Sequence, residues 1–396
     1  MRIAFYSDNF YPELSGISDS IRITAKKLAE RGHFINFFVA KYSKKNYKFL
    51  NLPDKELFIH DRVKITRMFS LPYPTGTNQG RLMIPTGLRS IILKRFKPDL
   101  IHTHQLAGVG LEALIDSKIL KIPMIGTNHT PISEFVKYTP IKAIWFQKLA
   151  QKYDVWYFNH CQFVSSPSNP VLDEMRTLGF NKPSHPVSNP LELDLFKKEY
   201  DKKTLKKELD FSDFTLLYCG RLASEKHVDL IIKAAAELRK VIPEIQVVLS
   251  GTGSEKENLI KLAKDLGISD KVKISGYIEN KEDFIKLYKA SEVFLMLGTA
   301  ETQSIVMMQA MASGLPVIGV RAWGLVDYIY DQNGILIEPN DLKALTEKIL
   351  YLYKNKNVRE KLGDGGRVFV QNFTPEKIAK AWEDIYSSVL SKLSKR

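Results

Sequence analysis

The sequence predicts an α/β fold, two doubly wound domains of largely parallel sheet whose loops face each other across an interdomain cleft. Three observations predict it. The chain has 396 residues, long for a single hydrophobic core. Short apolar runs recur in two series, each run separated from the next by a stretch long enough for a helix. Between the series, at NPLELDLFKKEYDKKTLKKELD, Asn189 to Asp210, apolar periodicity gives way to charge. Alternating strand and helix patterns of this kind build parallel sheets buried on both faces.

The first series reads RIAFYS, FINFFVA, DLIHTH, PMIGTN and QFVSSPS. The second reads TLLYCG, IQVVLSG, VKISGYI, VFLMLG, PVIGV and GILIEP. The expected domains are residues 1–190 and 191–374, with the last helix, within 375–396, returning to pack on the first. In such sheets ligands sit beyond the carboxyl ends of the strands, so the polar residues ending each run are the candidates for chemistry.

Composition narrows the class. The hydrophobic fraction of 44% is that of an ordinary globular protein. The start, MRIAFYSDNFYP, breaks its short apolar stretch at Ser7, Asp8 and Asn9, which argues against a signal peptide or a spanning helix and for a cytoplasmic protein. Cys161 and Cys219 are too few for a disulfide framework and read as buried thiols. The net charge of +14 calls for an anionic partner: a nucleotide, a nucleic acid or an acidic membrane surface. No basic and aromatic recognition motif accompanies the charge, so no nucleic acid partner is expected.

The strand ends carry the following candidates. In SDNFYPELSGISDSI, Gly16 opens a helical pattern, where backbone N–H groups can approach an anion; an ordinary turn is the other reading. GTNHTPISEF places His129 just past a strand. TLLYCG runs into RLASEKHVDLI, which sets Arg221 and Lys226 at a strand-to-helix turn, where two cations can neutralise a diphosphate without a metal. SGTGS, with Gly253, is a tight turn at the next strand end. Gly276 to Ile278 follows, with backbone groups available to a base edge.

The stretch AETQSIVMMQAMASGLPVIG reads as a loop, an apolar helix from Ser304 to Ala312, and a glycine stop at Gly314. A helix so apolar is buried, which points its N-terminal amides into the cleft, where they can hold phosphate while Glu301 accepts hydrogen bonds from sugar hydroxyls. Gln309, about two turns on, either reaches a ribose hydroxyl or is satisfied locally on a core helix.

Together these motifs resemble the retaining glycosyltransferases of family 4. The resemblance covers nearly the whole chain, through SGISDSI, HTHQ, GTNHT, SNPLELDLF, GRLASEKHVDL, SGTGS, SGYI and AETQSIVMMQAMASGLPVIG. It implies the GT-B fold of two facing Rossmann-like domains, and a nucleotide diphosphate sugar, UDP- or GDP-linked, as donor. By the same resemblance Arg221 and Lys226 hold the diphosphate, and Glu301 with the amides of Gln303 to Val306 holds the sugar and phosphate. His129 touches the sugar near the reacting carbon, Gly16 lies beside the phosphates and acceptor, and the base rests near Gly276 to Ile278. The chemistry implied is front-face attack with retention, and no metal or other cofactor.

Two positions depart from the family pattern. Gln309 stands where the family has a second Glu, which exchanges a charge-assisted hydrogen bond for one about 1–2 kcal/mol weaker. Pro190 stands where it has Gly, which alters the joint.

For the acceptor, KYSKKNYKFLNL sets Lys41, Lys44, Lys45 and Lys48 at helical spacing with Tyr42, Phe49, Leu50 and Leu52 available to an apolar side, and IKAIWFQKLAQKYDVWYF is a second basic and aromatic run; docking on an anionic membrane surface near the acceptor end of the first domain is one reading, and a solvated loop and a core helix are the other. The Glu301 loop also resembles members that glycosylate diacylglycerol. The expected function is transfer of a hexose, glucose foremost, to a membrane lipid, by a protein peripheral on the inner face of the membrane. The alternatives are a soluble or polysaccharide acceptor, a sugar-nucleotide epimerase, and a catalytically silent nucleotide-binding or nucleic-acid-binding protein.

Overall fold

A computed structural model describes the chain except for residues 14, 50–51, 73–79, 134–142 and 395–396. Two compact units result: Met1–Pro190 with Pro375–Arg396, and Leu191–Thr374.

The first unit is built on six parallel strands. β1 (Arg2–Ser7), β2 (Phe34–Ala40) and β3 (Val63–Met68) form one wing. A two-residue antiparallel ribbon, β4 (Leu71–Pro72) with β5 (Arg81–Leu82), follows, and β6 (Leu100–Thr103), β7 (Met124–Thr127) and β8 (Phe163–Ser165) form the other wing. Their order across the sheet is β3-β2-β1-β6-β7-β8. The order reverses between β1 and β6, and that switch point is where such sheets bind ligands.

β3 is absent from the expected strands. Its sequence, VKITRM, interrupts the apolar run with Lys64, Thr66 and Arg67, because it is an edge strand only partly covered. The central strands are buried on both faces and their apolar runs mark them out: every residue of β6 and β7, and all of β1 after Arg2, is buried; the run QFVSSPS marks the edge strand β8 as well.

The helix Pro375–Ser394 packs along the helix Gly16–Glu30 of the same unit. Its Glu383 accepts from the Arg31 guanidinium at 2.6 Å and lies 2.7 Å from His33 Nε2. Its Tyr386 hydroxyl lies 2.8 Å from His102 Nδ1, and Trp382 packs on the same ring at 4.4 Å.

The second unit repeats the architecture. β9 (Phe214–Cys219), β10 (Ile245–Ser250), β11 (Val272–Gly276), β12 (Val293–Met296), β13 (Val317–Val320) and β14 (Gly334–Ile337) are all parallel, in the order β11-β10-β9-β12-β13-β14. The switch point lies between β9 and β12. The loops leaving those two strands carry Arg221, Lys226 and Glu301.

Candidate active site

The loop after β9 is fixed by its neighbour after β10. Leu222 N–H donates to Thr252 O at 2.9 Å and Glu255 N–H donates to Leu222 O at 3.0 Å. The two backbones approach so closely that a Cβ on Gly253 would lie 2.0 Å from Leu222 O, and one on Gly251 would lie 1.8 Å from Gly220 O. Gly253 therefore lets this turn lock the loop that carries Arg221.

At the switch point Lys226 Nζ donates to Glu301 Oε1 at 2.5 Å, and both side chains are mostly buried, at 16% exposure each. Gly298 makes room for them: a Cβ there would stand 3.1 Å from Glu301 Oε1 and 3.2 Å from Lys226 Cδ. Thr299 N–H reaches Glu225 O at 3.4 Å and ties the two loops together. Gly324 N–H holds the Glu301 carbonyl at 2.8 Å. Arg221 pairs with Glu225 at 2.6 Å and keeps 54% of its side chain exposed. Both cations expected to face a diphosphate thus carry a carboxylate partner.

Behind the Glu301 loop the helix Ile305–Ser313 starts at Ser304, whose hydroxyl caps it by accepting from Met307 N–H at 3.4 Å. Met307, Met308, Ala310 and Met311 are buried in the core of the unit. The helix stops at Gly314, whose φ of +82° suits glycine. Ile305 and Val306 in the first turn are half-buried, and Gln303 folds inward so that its amide donates to Met308 Sδ at 2.8 Å. Gln309 Oε1 accepts from the buried Tyr288 hydroxyl at 3.2 Å, a local contact of the kind weighed from the sequence. Ile278 packs against the core just past Gly276, whose φ is +72°.

The other candidates, Gly16 and His129, belong to the first unit. Gly16 is the first residue of its helix, and the cap is Ser15, which accepts from Ser18 N–H at 3.1 Å. His129 follows β7 and is buried, its Nε2 lying 3.1 Å from His104 Nδ1. The ring of His102 lies 4.1 Å from that of His104, tilted by 33°, so three imidazoles lie in contact in sequence. Burial pushes the His129 pKa down to about 4 and those of His102 and His104 down as well. All three rings are therefore neutral near pH 7. His104 Nε2 is buried with no hydrogen-bond partner among the described residues. Among the described residues no three His, Cys, Asp or Glu side chains converge as metal ligands would.

Comparison with known proteins agrees with both halves of this architecture. Residues 14–195 match the family model described as Glycosyltransferase Family 4, and residues 199–369 match that of the Glycosyl transferases group 1. The chain belongs to the family 4 glycosyltransferases. It is 25% identical over 410 residues to alpha-monoglucosyldiacylglycerol synthase of Acholeplasma laidlawii, covering 100% of this chain and 99% of that one. The protein of the same name from Streptococcus pneumoniae is 28% identical over 325 residues, 80% of this chain and 70% of the relative. Among solved structures, Anabaena Alr3699/HepE in complex with UDP superposes with a TM-score of 0.78 at 18% identity over 98% of this chain and 100% of that one. Sucrose-phosphate synthase from Thermosynechococcus elongatus gives the same TM-score at 21% identity over 99% of each chain. These two share the fold.

The geometry of the glycosyltransferase adds residues that motif reading passed over. Glu225 holds Arg221, Gly298 opens the space for the Lys226–Glu301 pair, Tyr288 holds Gln309, and His104 holds His129. The HTHQ motif carried a signal for His104; nothing in the sequence marks which carboxylate or hydroxyl the fold will bring to Arg221 or Gln309. One expectation is corrected. In the segment Lys41 to Lys48, Tyr42 is buried and packs with Tyr47, Ala40 and Leu52, so its apolar side faces its own unit and the exposed residues include Lys41, Lys44, Lys45 and Lys48. Leu50 and the side chain of Phe49 lie outside the described residues. No helix among the described residues is long and apolar enough to cross a membrane.

Proposed function

We propose that this glycosyltransferase moves a hexose, glucose foremost, from a UDP- or GDP-linked sugar to a membrane lipid such as diacylglycerol, with retention at the anomeric carbon and without a metal. The observation that carries the reading is the Lys226–Glu301 pair at the switch point of the second unit. A carboxylate ready for sugar hydroxyls stands beside an ammonium ready for phosphate, at the sheet position where ligands bind. The acceptor is supported by the two relatives named for that chemistry, one of them matched from end to end.

In this reading the arriving diphosphate takes over Arg221 and Lys226 from their carboxylate partners, and the N-terminal amides of the helix Ile305–Ser313 add their partial positive charge. Charge builds on the departing diphosphate as the glycosidic bond lengthens through an oxocarbenium-like state. Cations and amides already in place there lower the barrier because they need no reorganisation. Glu301 orients the sugar through its hydroxyls, and the leaving phosphate takes the acceptor's proton. The neutral His129 offers a hydrogen bond near the reacting carbon and adds no second positive charge to an electron-poor centre. Gly16 lets the backbone approach phosphate and acceptor, Gly276 to Ile278 receive the base, and Gln309 approaches the ribose. The enzyme works in the cytoplasm at the inner face of the membrane.

A panel of nucleotide sugars supplied with diacylglycerol in mixed micelles tests this directly. A hexosyl-diacylglycerol product is expected. Equal donor consumption without lipid, or no glycolipid from any donor, overturns it. A soluble acceptor is the second reading, favoured by 25% identity over 389 residues, 96% of each chain, to N-acetyl-alpha-D-glucosaminyl L-malate synthase of Bacillus anthracis.

A further inference from the structure

Large apolar side chains left in water mark a surface that has a partner when they cluster and when their charged neighbours share one sign. The first unit has such a surface. The helix Ile144–Phe158 turns Val155, Tyr157 and Phe158 into the core. Outward it exposes Ile144, Trp145, Leu149 and Trp156, at 70%, 64%, 55% and 48%. Lys148 and Lys152 are its only other exposed residues. The one carboxylate of the helix, Asp154, is buried against Asn128.

The two helices beside it follow the same rule. Leu93 of the helix Ser90–Phe96 and Val109 and Ala113 of the helix Val109–Leu120 join the same core cluster, so all three helices lie on one face of the sheet. The first exposes Ile91, Ile92, Lys94 and Arg95; the second exposes Lys118 and Ile119. The second helix also contains two carboxylates, and both are fully buried. Glu112 accepts from Thr86 N–H at 2.6 Å and Gly87 N–H at 3.0 Å, and Asp116 accepts from the Tyr6 hydroxyl at 2.6 Å. Every exposed charge on the three helices is therefore positive, and it stands among branched and aromatic side chains.

The helices Gly16–Glu30 and Pro375–Ser394 show that this is not the general character of the unit. They expose Asp19, Lys26, Glu30, Glu376, Lys377, Lys380, Asp384 and Lys392, of both signs, and Leu393 is their one exposed large apolar residue.

We propose that the outward faces of the helices Ser90–Phe96, Val109–Leu120 and Ile144–Phe158 dock on an anionic lipid bilayer. Exposed Trp145 and Trp156 suit the boundary between headgroups and acyl chains, where an indole buries its ring and keeps its N–H hydrated. The lysines lay their stems along apolar surface and keep their ammonium groups among anionic headgroups. Burying the carboxylates removes the groups an anionic surface would repel. In purpose the proposal rests on the lipid-acceptor reading, since it brings the enzyme to where such an acceptor resides; its test does not depend on that reading.

Full-length protein is sedimented with vesicles of phosphatidylcholine, with and without phosphatidylglycerol, and hexosyl transfer to diacylglycerol in detergent micelles is measured alongside. Wild type is expected to bind the anionic vesicles at least about tenfold more tightly than the neutral ones, with the preference fading as salt rises. Lys148→Glu with Lys152→Glu is expected to erase that preference. Trp145→Ser with Trp156→Ser is expected to weaken binding to both. Lys26→Glu with Lys380→Glu, on the mixed-charge helices, is expected to change nothing, and the melting curves of all these surface variants match wild type. The proposal is overturned if the helix variants bind anionic vesicles as wild type does, or if wild type ignores them. It is also overturned if wild type forms a dimer in which the helix Ile144–Phe158 is protected from hydrogen exchange. Vesicle binding that follows the pattern, with no transfer in micelles, supports the surface and removes the acceptor reading instead.

Discussion

Glu301 lies 2.5 Å from Lys226 in a mostly buried pair, and that contact governs what either can do before a donor arrives. Removing one partner leaves the other charge poorly solvated, so Glu301→Ala disturbs Lys226 as well as the proposed sugar contact. Loss of two charge-assisted hydrogen bonds, at about 1.5–3 kcal/mol each, predicts a fall in transfer of roughly 100-fold or more. Circular dichroism with steady-state rates checks it: retained turnover in a folded Glu301→Ala protein removes Glu301 from the site. Gln309 poses the finer question, because its Oε1 is already engaged by Tyr288. A carboxylate accepts from that hydroxyl equally well, so Gln309→Glu keeps the local contact and adds charge. Donor affinity is expected to tighten about tenfold, equivalent to about 1.4 kcal/mol. Unchanged affinity by calorimetry returns Gln309 to a purely local role. At this scale the sequence shows residue types at strand ends, which is why Arg221, Lys226 and Glu301 stand out. It does not show that Glu225 or Tyr288 will be folded against them, since those pairings depend on where side chains end in space.

At the scale of elements, the loop after β9 is held by the turn after β10, and the turn tolerates no side chain at Gly253. A Cβ 2.0 Å from the Leu222 carbonyl meets backbone, which cannot rotate away. Gly253→Ala is expected to cost about 1–3 kcal/mol of stability, in the range of other overpacked sites, and to lower donor affinity by displacing Arg221. Chemical unfolding and donor titration check both effects; normal stability would mean that the loops part easily. The sequence marks SGTGS as a turn and no more, because a glycine chosen for close backbone approach looks the same as one chosen for conformation. Burial made most strands legible, although VKISG at the partly buried edge β11 was legible too. The run FTLLYC, buried at every position of β9, announces itself, whereas VKITRM at the edge β3 carries Lys64 and Arg67 and does not. The helix Ile305–Ser313 was legible at both ends, through the Ser304 cap and the Gly314 stop, since capping chemistry is local.

Over the whole of the first unit, buried titratable groups set a pH dependence that no single element shows. His102, His104 and His129 have pKa values pushed down by burial, so the unfolded chain binds more protons below about pH 6.5, and their contribution is lost as pH falls. Burial shifts the carboxyls the other way: Asp8 and Asp116 rise to about 7 and Asp154 to about 8, and Glu13 rises too. A carboxyl with a raised folded pKa binds its proton more tightly in the folded state. The stability it gives is present in acid and is lost as pH climbs through the folded value. Between about pH 4 and 6.5 the two sets oppose each other. Above 6.5 the histidines are neutral in both states, and only the carboxyls still act. The unit is therefore expected to be more stable near pH 6.5 than near pH 8.5, and Asp154, with the highest of these values, governs the upper end of that window. Asp154→Asn keeps an acceptor for Asn128 and removes the ionisation, so it should flatten the decline between about pH 7 and 8. Unfolding midpoints across that range, followed by the fluorescence of Trp145, Trp156 and Trp382, measure it. A midpoint that rises with pH in wild type, or a decline unchanged in Asp154→Asn, would show that the buried carboxyls ionise at little cost.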